Sequence, residues 1–137
     1  MFLIFITALI FPLLLNGSEI YLKIKNIDNA SGFVHFALYN EKMKFLSDDG
    51  KYIGLKKNAE KVKTEGILIK NLKAGIYAIA VYHDENGNNQ FDKIFAIPKE
   101  KYGFSNDAKV FFGPPSFDDA SFQINENEKK NISIKLR

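Results

Sequence analysis

Apolar and polar residues alternate along much of this chain. Ile20, Leu22 and Ile24 are separated by Tyr21, Lys23 and Lys25, the period of two that marks a half-buried strand. Phe33 to Tyr39 is apolar at almost every position, which predicts a central strand covered on both faces. Val62, Thr64, Ile67 and Ile69 predict a third strand, broken near Gly66. Ile76 to His83 is the most apolar strand, and Ala78 and Ala80 leave room on it for close packing. Phe91 to Ile97 is expected to return from it and to end at Pro98, since proline confines a strand to an edge. Ala120 to Ile124 and Asn131 to Leu136 complete the set. Asn40 to Asn58 is the least regular stretch, with a turn at Ser47 to Gly50 and either a long loop or a short helix around it. The pattern predicts an all-β fold, a single antiparallel β-sandwich of about seven strands. Thirteen phenylalanines and six tyrosines suffice to fill the space between its sheets.

The N-terminus breaks this pattern. Met1 to Ser18 carry no charge, and Phe2 to Leu15 are apolar except for Thr7 and Pro12. Such a stretch is shorter than the roughly 20 residues that cross a bilayer as a helix, and it fits the apolar part of a signal peptide. A basic leading region and a clean small-x-small cleavage site are both missing. Residues 1–18 are therefore read as an export signal, cleaved or retained as an anchor, and residues 19–137 as one domain. The expected location is periplasmic or secreted, with no membrane span once the signal is removed. There are no cysteines, so disulfides, thiolate metal sites and a lipid-modified cysteine anchor are excluded. The net charge of +3 is spread over interspersed basic and acidic residues without a basic stripe, which argues against nucleic acid.

The strongest chemical signal is the run His83-Asp84-Glu85-Asn86-Gly87-Asn88-Asn89-Gln90-Phe91-Asp92. Asp84, Asn86 and Asn88 place oxygens at every second position, and Asp92 follows four residues later. Calcium takes six to eight oxygen ligands from such groups. A complete EF-hand is excluded, because the sixth place is Asn89 in place of glycine and the twelfth is Phe95 in place of glutamate. What is left is similar to the shorter D-x-N-x-N-x-x-x-D calcium loops of extracellular bacterial sandwich domains. Glu85 and Glu100 are candidates for the missing carboxylate. The same residues also suit a plain hairpin turn, because Asn86-Gly87 tolerates positive φ. Asp84, Asn86, Asn88 and Asp92 are the expected calcium ligands, with the turn as the competing reading.

Tyr77 to Asn88, Ile97-Pro98-Lys99-Glu100, Tyr102 to Asn106 and Gly113 to Ala120 follow one another in a specific order. In these motifs the chain resembles domain-of-unknown-function family 2141, a group of uncharacterised bacterial proteins. Ala96 stands where that pattern usually has glycine. The resemblance implies a small exported domain with a prealbumin-like or immunoglobulin-like sandwich, and it implies no particular activity.

Catalytic signals are sparse. His83 and Asp84 are neighbours on a strand and so point to opposite faces. No G-x-S-x-G elbow is present. His35 and His83 could meet across strands and bind a transition metal with Glu100. Tyr102 to Asn106 and Gly113 to Phe117 read as shaped loops, either a recognition surface or loops plugged by Phe104 and Phe117. The expected function is an exported, non-catalytic binding or structural module of the bacterial cell envelope, with an unknown envelope or extracellular ligand. The rival is an envelope hydrolase or metal-dependent enzyme using His83 and Glu100.

Overall fold

The computed structural model describes residues 17–137. The expected export signal lies outside the described residues, apart from Gly17 and Ser18. Ser18 is the first residue of strand β1 (Ser18–Lys25); it is buried, donates its hydroxyl to the carbonyl of Asn125 at 2.6 Å and accepts the N–H of Glu128 at 3.1 Å.

Two sheets face each other. In the first, β1 lies between β4 (Ile67–Leu72) and β10 (Lys129–Lys135). Its alternation turns Ile20, Leu22 and Ile24 inward, where Ile67, Ile69, Ile134 and Leu136 join them. β4 runs antiparallel to β1, with Leu22 opposite Ile67. β10 runs parallel to β1, with Ile24 opposite Ile134. This one parallel pair departs from a uniformly antiparallel expectation. β9 (Ser121–Ile124) belongs to the other sheet, so the chain crosses between sheets before β10 and no hairpin dictates its direction.

The second sheet has the order β3 (Ile53–Asn58), β2 (Phe33–Tyr39), β5 (Gly75–Asp84) and β8 (Tyr102–Phe104). β9 also pairs with β5, beside Gly75 to Ala78, while β8 runs beside Ala80 to Tyr82. Val34, Phe36, Leu38, Tyr77, Ile79 and Val81 point from this sheet into the shared core. Its outer face is covered at one end by Phe104, Ala108, Phe117 and Ala120, which pack on Ala37, Tyr39 and Ala78. The small alanine side chains admit that cover, as the sequence predicts. Phe117 opens a short helix, α2 (Phe117–Ala120), capped by Ser116 through the N–H of Asp119. Phe104 and Phe117 thus serve as plugs of their own loops.

The all-β sandwich stands, with three local departures. Val62 and Thr64 lie on a helix, α1 (Ala59–Glu65), and only Ile67 and Ile69 lie on a strand. Asn58 caps α1 by accepting the N–H of Lys61 at 3.2 Å, and Ala59 and Val62 form its buried face at helical spacing. β3 arises in the stretch read as irregular; it is a largely exposed edge strand. Finally, Phe91 to Ile97 does not return along β5. It forms a separate hairpin of β6 (Lys93–Ile94) and β7 (Ile97–Pro98), and β8 takes the edge of β5 instead. Among the described residues no helix is long and apolar enough to cross a membrane.

Candidate functional site

β5 delivers Asp84 to the edge of the sandwich, where the chain leaves the sheet. Gly32 holds this exit closed. Its φ of +69° puts it in the left-handed region, and a Cβ there would come 2.0 Å from the Asp84 carbonyl oxygen.

The pairing of β2 with β5 sets His35 opposite Tyr82 and Val34 opposite His83. The two histidines therefore occupy opposite faces, and the transition-metal site imagined for them with Glu100 does not form. His83 lies on the core face, fully buried, with Nε2 bonded to the Ser31 carbonyl at 2.7 Å. Its Nδ1 faces Glu85 at 3.8 Å, beyond hydrogen-bond range. Glu100 is buried against Asp92 and His83 is fully buried, so neither lines the open cleft of the sheet.

His35, on the outer face, bonds through Nε2 to Oδ2 of Asp84 at 3.1 Å. Its ring stacks on Tyr82 with centroids 4.5 Å apart and planes 5° from parallel. The histidine–aspartate pair of this protein is thus His35 with Asp84. Sequence reading missed it because the partners are 49 residues apart and only strand register joins them.

The loop after Asp84 winds around its own side-chain oxygens. Asp84 is fully buried and accepts the N–H of Asn88 at 3.1 Å and of Asn89 at 2.9 Å. Asn86 Oδ1 accepts the Asn88 N–H at 3.1 Å, and Asn88 Oδ1 accepts the Gln90 N–H at 2.9 Å. Asn89 adopts φ +63°, the left-handed backbone that ordinarily favours glycine. Asn86 Nδ2 donates to Asp92 at 2.9 Å and Asn88 Nδ2 donates to both Asp92 oxygens at 3.0 Å. All four expected ligands are therefore joined in one network centred on Asp92. It is an ordered excursion between β5 and β6, not the two-residue turn of a hairpin.

Glu100 completes the surroundings. Its Oε2 accepts the Asp92 N–H at 3.2 Å, while Oε1 is buried and has no hydrogen-bond partner among the described residues. Burial pushes the Glu100 carboxyl above the ordinary glutamate range; the Asp92 N–H opposes this, and the charges of Asp84 and Asp92 and the side-chain contact with the Asp84 carboxyl reinforce it. Burial also works against ionisation of Asp84. There the Asn89 N–H, the His35 ring and the Asn88 N–H prevail, and they hold its carboxyl below the ordinary range. Among the described residues no three histidine, aspartate or glutamate side chains are grouped to hold a metal ion as they stand. The amides of Asn86 and Asn88 are interleaved with the carboxylates instead.

Beside this loop the outer face of the second sheet opens into a cleft of about 820 Å³. His35, Tyr82, Phe91 and Tyr102 supply aromatic walls, and Lys51, Lys56 and Lys93 line it as well. Burial, followed by the charges of Asp84 and Glu100, pushes the Tyr82 hydroxyl up to about 12. Asn89 and Phe91 belong both to the loop excursion and to the cleft wall.

Residues 22–133 match the family model described as uncharacterized protein conserved in bacteria, DUF2141. No curated protein matches the chain, and no solved structure matches it.

Proposed function

The chain belongs to this family, and we propose that it is an exported, non-catalytic binding module of the bacterial cell envelope whose Asp84–Asp92 loop holds calcium. The observation that carries the ion is that Asn86 and Asn88 both bond Asp92 while Asp84 accepts the Asn88 N–H, so the four side chains share one network. Calcium bound there would displace the amide N–H groups from Asp92, turn the amide oxygens inward and draw the carboxylates together. The uncharged stretch Met1 to Ser18 supports export. The cleft beside the loop supports ligand binding, because it is a concavity in which aromatic walls stand beside polar groups, Lys51, Lys56 and Lys93 among them.

The energetic role follows from mass action. With a dissociation constant on the order of 0.1 mM, calcium at about 1 mM adds roughly 1.4 kcal/mol of stability. That is a useful contribution to a domain without disulfides. Thermal melting with and without millimolar calcium tests the ion: a rise is expected for the parent and none for Asp84→Ala or Asp92→Ala. No calcium-dependent rise in the parent sinks calcium. Cell fractionation tests export, and a wholly cytosolic full chain would contradict it.

A further inference from the structure

We infer that Glu100 is a fifth oxygen ligand, reaching the calcium of this loop from outside the loop itself. The inference rests on the calcium reading above and extends it to a residue beyond the D-x-N-x-N-x-x-x-D run. That run ends without its last carboxylate, because the twelfth place is Phe95, 96% exposed and pointing to solvent. The fold makes up the deficit. The β6–β7 hairpin reverses the chain, and the Lys99 N–H bonds the Asp92 carbonyl at 2.9 Å. This brings Glu100 back onto Asp92, whose N–H it accepts at 3.2 Å.

The second observation is the state of the Glu100 carboxylate. The residue is only 8% exposed, and Oε1 has no partner among the described residues. A buried carboxylate oxygen without a donor or a cation is costly, and native structures rarely leave one. Asp92 carries the same charge and adds to the cost, and the other carboxyl beside Glu100 is that of Asp84, which it contacts side chain to side chain. The nearby Lys101 does not relieve it, because its Nζ is paired with Asp28. A divalent cation shared by Asp92 and Glu100 would satisfy the orphan oxygen and offset their repulsion. Hard oxygen donors of this number and charge suit calcium.

The experiment is a calcium titration by calorimetry, with melting in parallel, on the full chain and on Glu100→Gln, Glu100→Asp and Asp92→Asn. Glutamine can still accept the Asp92 N–H, so a purely structural Glu100 predicts a normal calcium response in Glu100→Gln. A ligand predicts otherwise: Glu100→Gln melts at or above the parent without calcium, yet binds calcium at least about tenfold more weakly and loses the calcium-dependent rise. Unchanged affinity in Glu100→Gln, with loss in Asp92→Asn, would overturn Glu100 as a ligand and leave the loop as a calcium site. No calcium binding by the parent overturns both. Should Glu100→Gln fail to fold, Glu100→Asp decides, since its shortened carboxylate weakens a ligand contact and parental affinity would reject one.

Discussion

His35 Nε2 sits 3.1 Å from Asp84 Oδ2, and through this contact one carboxylate serves two structures. On one side Asp84 orders the loop by accepting two backbone N–H groups. On the other it orients the ring that stacks on Tyr82 in the cleft wall. Any event at the loop that moves Asp84 is therefore felt at His35.

The contact should appear as thermodynamic coupling. Asp84→Asn leaves two backbone donors competing for one oxygen in a buried site, and a cost of roughly 2–4 kcal/mol is expected. His35→Ala is expected to cost less. Urea unfolding of both single variants and the double variant should give losses that fail to add by about 0.5 kcal/mol or more. Additive losses would show that the two side chains do not act together.

Stability should respond to acid in two opposed steps. Glu100 has a raised carboxyl pKa in the fold, so the folded protein takes up a proton before the unfolded chain does. Stability then rises as pH falls through the folded value towards the ordinary glutamate value of 4.5. Asp84 is lowered, so its contribution is complete above the ordinary aspartate value of 3.8 and is lost as pH falls below it through the folded value. Urea melts in calcium-free buffer across pH 2 to 7 (about one unit apart) should show a mildly acidic maximum. Glu100→Gln should remove the rise on its neutral side, and a curve unchanged by that variant would contradict the assignment.

Gly32→Ala should be severe for a residue in a loop. The added Cβ meets the Asp84 carbonyl at 2.0 Å, and φ is +69°. Overlap and left-handed strain together are expected to cost roughly 3 kcal/mol or more. Thermal melting reads this directly, and a parental midpoint would mean that the exit of β5 is not packed as described.

Ala96→Gly should act in the opposite direction. Phe95 and Ala96 turn the β6–β7 hairpin at φ +48° and +67°, where residues other than glycine are strained. Glycine at 96 relieves one of the two, for a gain of up to about 1 kcal/mol and a melting rise of a few degrees. A lower midpoint would argue against the turn. The departure from the family pattern at Ala96 thus keeps the glycine-like backbone and retains the strain.

Legibility followed the range of the interactions involved. The alternation of Ile20, Leu22 and Ile24 and the apolar run of β5 carried their strands in plain view, because period-two burial is a local property. The oxygen network from Asp84 to Asp92 was legible for the same reason, since nearly all its bonds span two to six residues. Val62 and Thr64 were misread because Val62 and Ile67 are buried in both a strand and a helix-then-strand reading. The capping Asn58 and the break at Gly66 tip the balance to the helix.

By itself, the sequence determined an all-β domain, the family motifs and the oxygen-bearing side chains of Asp84, Asn86, Asn88 and Asp92 in one loop. Tertiary structure alone decided which histidine meets Asp84, which strand follows β5 along its edge and where the carboxylate of Glu100 lies. Those outcomes depend on strand register and on chain reversals, and no local pattern encodes either. One step of register would have exchanged His35 for its neighbour, and without the β6–β7 hairpin Glu100 would not return to Asp92.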